Sequence, residues 1–451
     1  MNKPNILQIM SDQHRFDCLG VNGHPLIQTP SLDRLAAEGV NFTNAFTPCP
    51  MCVPARCSFL TGQWPSQHGV VFNYDGETLK QLSPDTTPTV SGVLSETGYR
   101  TAQVGRWHVD SERSPSDFGF DHFQSDWDYH AWRKDQDLAP LPTMPECWSG
   151  QTDDVAPEQS RLAWSADRAI EELETAVTEN RPFFLRWHTV EPHLPCFPTE
   201  PYASMYDPAD IEPWLGFGDT FESKPDIQRR MLGAWGVENW TWEKWAPIVA
   251  RTLGLITQFD HEIGRVLAAL DRFGLADNTL VAYTSDHGDM CGSHGMVDKH
   301  FVMYDDVVRV PLILRHPDLS AGTVRDDFLS NAIDLPSTFC VAAGIEPPAT
   351  FTGQSLLEPT GREDIFATYS GNQFGAYSQR MVHDRRWKFV WNLTDINELY
   401  DLETDPGELI NRIGDPSAAA ELARLKQRMI SWLESVQDPM LNCFTRKQLE
   451  S

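Results

Sequence analysis

Short uninterrupted apolar runs alternate with amphipathic segments over the first three quarters of the chain. Such runs are typical of strands buried on both faces of a parallel sheet, and they lie at residues 5–10, 40–45, 100–105, 182–188, 278–283 and 310–316. The amphipathic segments predict helices at residues 30–39, 55–60, 89–97, 161–178, 248–273 and 334–344. This alternation predicts an α/β fold: a doubly wound, mixed but mainly parallel sheet with flanking helices.

The pattern changes near residue 351. Residues 381–392 read as antiparallel strands, and residues 418–436 form an amphipathic helix that would pack on them. We therefore predict a large domain over residues 1–350 and a small α+β domain over residues 351–451.

Two stretches, residues 112–159 and 201–245, are rich in tryptophan and lack a clear period. We interpret both as long irregular loops, which is where substrate-selecting residues usually lie.

Composition narrows the classes of partner. The chain has 451 residues and a net charge of −28, which excludes a nucleic-acid surface because such a surface needs a basic face. No apolar run is long enough to cross a membrane, and no charged and apolar leader is visible. Nine cysteines are an odd number without disulfide-like spacing. We expect a cytoplasmic protein with reduced thiols and no membrane partner.

Polar side chains follow several of the predicted strands, at the edge where open α/β sheets bind ligands. Asp12 and Gln13 follow the first strand, and Asp286 and His287 follow a later one. A carboxylate and an imidazole beside each other at a strand end supply two metal ligands. For Asp12 alone, a turn cap is the alternative.

One segment near the N-terminus combines a cysteine, a proline and an arginine. Pro54 suits the first position of a helix, which predicts that Cys52 lies just before the helix. Free N–H groups there, together with Arg56, would acidify the thiol and attract an anion. A proline-started surface helix with an incidental cysteine is the alternative from local physics alone.

The segment Cys52-x-Pro54-x-Arg56, followed by Leu-Thr-Gly, resembles the signature of the formylglycine-dependent sulfatases. The resemblance implies an alkaline-phosphatase-like fold. It implies that a formylglycine-generating enzyme oxidises Cys52 to an aldehyde (3-oxoalanine) whose hydrate is the nucleophile. Ala55 replaces the commoner serine. The family's metal ligands then correspond to Asp12, Gln13, Asp286 and His287, together with the modified Cys52.

Further positions match the same family. Gly-Arg106-Trp-His108 stands where relatives have a lysine and a histidine, so an arginine fork replaces a compact ammonium. His193 lies in an element resembling Pro-His-x-Pro, and Lys299 lies in a loop whose lysine binds sulfate in relatives. Asn73 matches, by spacing only, an active-site asparagine of the related phosphonate monoester hydrolases. A turn-forming asparagine is the alternative for Asn73.

Together these matches predict a sulfatase that hydrolyses sulfate monoesters of a small molecule or carbohydrate. One divalent metal is implied; mostly oxygen ligands favour Ca²⁺, and the histidine also allows Mn²⁺ or Mg²⁺. The predicted catalytic residues are Cys52, Arg56, Arg106, His108, His193 and Lys299, and the predicted substrate-binding residues are Asn73, Arg106, His193 and Lys299. Two alternatives stay open: a phosphonate monoester or phosphodiester hydrolase using the same site, and a non-catalytic sulfated-glycan-binding relative if Cys52 is unmodified.

Overall fold

In this computed structural model, the structure describes residues 3–73, 80–141, 147–373 and 375–450. The strands are β1 Asn5–Asp12, β2 Val40–Phe42, β3 Ala45–Phe46, β4 Arg100–Gly105, β5 His122–Ser125, β6 Phe183–Pro192, β7 Thr279–Ser285, β8 Leu312–Arg315, β9 Thr323–Arg325, β10 Leu329–Ser330, β11 Ile365–Gly371, β12 Tyr377–His383, β13 Trp387–Asn392 and β14 Glu398–Asp401. The helices are α1 Pro30–Glu38, α2 Cys52–Thr61, α3 Pro65–His68, α4 Val90–Glu96, α5 Asp128–Asp135, α6 Arg161–Glu179, α7 Asp226–Trp235, α8 Trp242–Arg272, α9 Asp305–Val308, α10 Asn331–Ala342, α11 Ala419–Ser435 and α12 Cys443–Glu450.

An eight-stranded sheet in the order β5-β4-β6-β1-β7-β8-β2-β9 forms the centre of the molecule. The strands from β5 to β7 are parallel to one another, whereas β8 is antiparallel to both of its neighbours. Helices cover both faces, because successive side chains of a central strand point to opposite sides. Ile6 and Met10 pack in the cluster with α2, α4 and α10, whereas Leu7 and Ile9 pack in the cluster with α1, α6 and α8. The predicted doubly wound, mainly parallel sheet is confirmed.

A second, four-stranded antiparallel sheet, β11-β12-β13-β14, lies toward the C-terminus. One face packs on α11, with Phe389 and Leu399 against Met429 and Leu433. The other face packs on the chain around Phe301, which precedes α9. The predicted small antiparallel sheet with its helix is confirmed.

Three local predictions from the sequence are wrong. Residues 40–45 do not form one strand, because β2 pairs with β8 and β9 whereas β3 pairs with β10 in a separate two-stranded sheet. Residues 112–159 contain β5 and α5, and residues 201–245 contain α7 and the start of α8. These elements are short or half-exposed, so their apolar period is weak. None of the helices in the described ranges is long and apolar enough to span a membrane.

Candidate functional site

Neighbouring parallel strands carry the predicted site residues to one edge of the central sheet. Asp12 is the last residue of β1, and Asp286 and His287 follow directly after β7. Arg106 follows β4, and His193 follows β6. Because these four strands are adjacent and parallel, their carboxyl ends meet at the same edge, as the sequence predicts.

Cys52 is the first residue of α2, a helix whose ten residues are all buried. Met51 is the extended N-cap, and Gly62 ends the helix in the left-handed conformation with φ 59°. The prediction that the helix starts at Pro54 is therefore wrong by two residues. A proline is tolerated there because N–H groups in the first turn have no acceptor within the helix.

Four buried side chains direct a ligand atom toward one point. The donor atoms of Asp12, Cys52, Asp286 and His287 all lie within 4.8 Å of one another. Cys52 Sγ is 3.2 Å from His287 Nε2 and 3.9 Å from Asp12 Oδ1. His287 Nδ1 lies 2.8 Å from the carbonyl of Gly288, which directs Nε2 toward the cluster.

Arg56 holds the two carboxylates in place from behind. Its Nη2 donates to Asp12 Oδ2 at 2.8 Å and its Nε donates to Asp286 Oδ2 at 2.9 Å, and all three side chains are fully buried. The Oδ1 atoms of the two aspartates face His287 Nε2 at 3.8 and 3.7 Å. One oxygen of each carboxylate thus accepts a hydrogen bond from Arg56, and the other oxygen points toward the cluster.

Arg106 is a second arginine that contacts Asp12. Its Nε is 3.2 Å from Asp12 Oδ2, and its Nη2 is 3.0 Å from His108 Nδ1. Burial alone would raise the pKa of Asp12, yet Arg106 and Arg56 hold that pKa well below its usual range. Burial and the Arg106 charge lower the pKa of His108, which therefore stays neutral.

Gln13, His193 and Lys299 meet through the lysine ammonium. Lys299 Nζ donates to Gln13 Oε1 at 2.8 Å and lies 2.9 Å from His193 Nε2. His193 Nδ1 is 2.5 Å from the carbonyl of Leu194, so Nδ1 carries the proton and Nε2 accepts from Lys299. Burial and the Lys299 charge lower the pKa of His193 to about 3. Burial opposes the charge of Lys299, but Asp298 raises the pKa of this lysine well above its ordinary value.

Gln13 is predicted to be a metal ligand and Asn73 to bind substrate, and both make other contacts in the structure. Gln13 has a positive φ of 67°, and its backbone N–H donates to Asp286 Oδ1 at 3.2 Å, while its side chain reaches Lys299. Asn73 Oδ1 accepts from the backbone N–H of Val53 at 3.1 Å, so Asn73 lies beside the first turn of α2.

The prediction of an acidified Cys52 thiol is wrong for the unmodified side chain. Burial raises its pKa, and Asp12 adds to the shift, so that the pKa is about 12. The helix N-terminus and nearby cations do not outweigh two effects that disfavour the thiolate.

Sequence reasoning missed the polar residues that lie beneath and beside the cluster. Arg186 on β6 donates from Nε to Gln8 Oε1 at 3.1 Å and to His188 Nε2 at 3.2 Å, and burial lowers its pKa to about 9. Asp298 lies 3.1 Å from Lys299 Nζ. In the sequence, these residues could have been noticed as polar positions inside apolar strands and as an aspartate directly before Lys299.

A separate cleft of about 730 Å³ lies near Arg15, Trp214, Asp306 and Arg309. None of the predicted site residues is among the described residues that line this cleft. The candidate chemistry therefore lies at the cluster around Cys52 and not in this cleft.

Comparison with known proteins gives consistent matches. The sulfatase family model matches residues 4–345, and a model of the C-terminal part of N-sulphoglucosamine sulphohydrolase matches residues 292–435. An arylsulfatase of Clostridium perfringens is 33% identical, with 96% of this chain and 95% of that protein covered. An N-acetylglucosamine-6-O-sulfatase of Bacteroides thetaiotaomicron is 27% identical, with 96% and 86% covered.

Among solved structures, the phosphonate monoester hydrolase of Agrobacterium radiobacter superposes with a TM-score of 0.84 and 25% identity, with 97% of this chain and 96% of that chain covered. The family model spans most of the chain, and the arylsulfatase match is both near full length and above 30% identity. The chain therefore belongs to the sulfatase family and is a sulfuric ester hydrolase.

Proposed function

We propose that the chain hydrolyses sulfate monoesters through a formylglycine produced from Cys52. The observation that carries the proposal is the position of Cys52 Sγ, 3.2 Å from His287 Nε2 and 3.9 Å from Asp12 Oδ1. A side chain at this point lies beside both the ligand cluster and the cationic groups that an anionic ester requires.

The residues present fit one divalent metal. Asp12, Asp286 and His287, joined by Gln13 and the modified residue 52, would hold it, because two carboxylate oxygens and one imidazole nitrogen converge there. Predominantly oxygen ligands favour Ca²⁺, and the imidazole also suits Mn²⁺ or Mg²⁺. Such a metal supplies Lewis-acid polarisation and lowers the pKa of a bound hydroxyl.

The cations of the site explain how a chain with a net charge of −28 takes an anionic ester. Arg106 and Lys299 flank the cluster and would bind the sulfate oxygens, and Arg56 offsets the charge of the two aspartates from behind. The affinity for the anionic ester thus depends on these nearby cations, because salt screens the field of the distant acidic groups.

Lys299 is the better candidate to protonate the leaving alcohol. His193 presents Nε2 as an acceptor, and its pKa of about 3 keeps it neutral at physiological pH. The ammonium of Lys299 remains protonated and is buried at the site. His193 then orients the Lys299 ammonium for this role.

His108 is the proposed base for sulfate release. Arg106 Nη2 faces His108 Nδ1 at 3.0 Å, so Nδ1 is the basic atom of the neutral ring. A sulfate that takes the Arg106 guanidinium as its partner would leave Nδ1 able to accept a proton.

The second candidate function is phosphonate monoester hydrolysis, which the position of Asn73 favours. Asn73 lies against Val53, next to the proposed nucleophile, and it matches by spacing an active-site asparagine of the phosphonate monoester hydrolases. The Arg106–His108 pair favours the sulfatase, because it corresponds to the cation and histidine of the sulfatase pattern.

The test compares kcat/KM for 4-nitrophenyl sulfate and for the 4-nitrophenyl monoester of phenylphosphonate, using chain co-expressed with a formylglycine-generating enzyme. The two esters share a leaving group, so the ratio reports recognition of the transferred group. A larger kcat/KM for the sulfate supports the proposal. A larger value for the phosphonate favours the second candidate, and no turnover of either ester by aldehyde-bearing protein would contradict both. Protein that keeps an unmodified Cys52 and turns over neither ester would support the sulfated-glycan-binding alternative.

A further inference from the structure

The backbone around Lys299 is held in an unusual conformation. Asp298 has φ 66° and Phe301 has φ 64°, although neither is a glycine. Two left-handed non-glycine residues within four positions persist only where the surrounding structure determines them. The segment 298–301 is therefore held by its contacts, and these contacts identify what sets the position of Lys299.

Asp298 lies between two cationic or ionisable side chains. Its Oδ1 is 3.1 Å from Lys299 Nζ, and its Oδ2 is 3.1 Å from His300 Nε2. Asp298 and Lys299 are both buried. A buried ammonium is costly without a nearby carboxylate, so Asp298 compensates the charge that the site requires from Lys299.

The C-terminal sheet contacts the residues that follow Lys299. Tyr369 Oη on β11 is 3.4 Å from His300 Nδ1. The ring of Phe301 packs edge-to-face on Tyr369 and Tyr377, with centroids 5.5 and 5.7 Å apart. The antiparallel sheet thus contacts the segment at His300 and at Phe301.

Three groups surround the ammonium of Lys299. Gln13 Oε1 at 2.8 Å and His193 Nε2 at 2.9 Å accept hydrogen bonds from Nζ, and Asp298 Oδ1 forms an ion pair with it at 3.1 Å. The first two belong to the metal and substrate side of the site, whereas Asp298 supplies the negative charge next to the ammonium. Loss of that charge would remove the ion pair that helps to hold Nζ in its place.

We propose that Asp298 is a positioning residue for Lys299, and that His300, held by Tyr369 of the C-terminal sheet, orients Asp298. The proposal rests on the proposed function, in which Lys299 binds the sulfate and protonates the leaving alcohol. It gives the antiparallel sheet a role in the chemistry of a site that the central sheet otherwise builds.

The test uses Asp298→Asn, which keeps the shape of the side chain and removes its charge. Asp153→Asn is the matched control, because Asp153 is also buried and pairs with an arginine, Arg133 of α5, at 2.7 Å. The substrates are phenyl sulfate, which has a poor leaving group, and 4-nitrophenyl sulfate, which leaves without help from an acid.

We expect Asp298→Asn to lower kcat for phenyl sulfate by about 10²-fold and kcat for 4-nitrophenyl sulfate by less than about 10-fold. The control should lower neither. Tyr369→Phe should give a smaller loss with the same dependence on the leaving group, and it serves where Asp298→Asn does not fold. An equal loss on both substrates would mean that Asp298 is merely structural and would overturn the proposal, as would no loss.

A crystal structure of Asp298→Asn separates this proposal from the proposed function. Displacement of Lys299 Nζ from Gln13 Oε1 and His193 Nε2 is expected whether or not the protein turns over sulfate esters. Unchanged distances of 2.8 and 2.9 Å would contradict the positioning role even in an active sulfatase.

Discussion

The molecule contains two buried clusters of charged residues, and they differ in what they leave available for binding. At the site, Arg56 donates to one oxygen of Asp12 and one of Asp286, and the other oxygens face His287 and Cys52. In the second cluster, Lys388 Nζ lies within 3.2 Å of three acceptors, from Asp305, Glu408 and Met303.

The difference is whether the ligand atoms of several residues converge on one point after the charges have been paired. The second cluster joins the C-terminal sheet to the start of α9, and its carboxylates surround one buried ammonium. At the site, carboxylate, imidazole and thiol atoms are all directed at a common point. Buried ion pairs alone do not indicate function; convergent ligand atoms beside them do.

Replacing the proposed nucleophile should give the largest effect. Cys52→Ala is expected to lower aryl sulfate turnover by about 10³-fold or more, because no other residue can replace a covalent nucleophile. Cys57→Ala is the matched control, since Cys57 is buried in the same helix with its Sγ toward the carbonyl of Val109. Initial rates with 4-nitrophenyl sulfate measure both. Equal activity of the two variants would contradict the assignment.

Metal removal should come next. Dialysis against a chelator is expected to abolish turnover, and reloading with Ca²⁺, Mn²⁺ or Mg²⁺ should restore it to different extents. Loss of the ion should also lower Tm, because a ligand at a thousand times its Kd stabilises the folded state by about 4 kcal/mol. Full activity in protein shown by elemental analysis to hold no metal would refute the cluster as a metal site.

Breaking each cluster at its cation sharpens the comparison. Arg56→Met and Lys388→Met should each cost about 3–5 kcal/mol in the free energy of unfolding, because each leaves buried carboxylates unpaired. Only Arg56→Met should also weaken metal affinity, by about 10–100-fold, since Arg56 orients two proposed ligands. Denaturant unfolding and metal titration measure the two quantities. Equal loss of metal affinity in both variants would erase the distinction.

The smallest expected effect is on the pH dependence of stability, through His383 beside the second cluster. Burial lowers the pKa of His383 from 6.5 to about 4. The unfolded chain binds a proton at this position between pH 6.5 and 4 and the folded chain does not, so stability falls as the pH falls through that range, by at most about 1.4 kcal/mol per pH unit. His383→Phe should show a shallower loss of stability over the same range. An unchanged slope in thermal unfolding from pH 6.5 to 4.5 would contradict the shift.

The sequence was most informative where pattern and chemistry are local. The apolar run before Asp12 and the one before Asp286 predict strands, and parallel strands bring their ends together without further information. Cys52 could be singled out because a proline and an arginine follow at fixed offsets.

What the sequence did not predict depends on contacts between distant segments. Arg56 contacts aspartates that lie 44 and 230 positions away, and no local spacing encodes that bridge. Asp298 is linked to the C-terminal sheet through His300 and Tyr369, and no local pattern encodes that link. The raised pKa of Cys52 likewise follows from burial among carboxylates, which a helix start alone cannot reveal.

The most direct test of the account is the mass of the peptide containing residue 52 in active protein. A formylglycine in place of cysteine lowers that mass by about 18 Da, and the fraction so converted should rise in proportion to sulfatase specific activity across preparations. Full activity in protein whose residue 52 is entirely an unmodified cysteine would contradict the central claim.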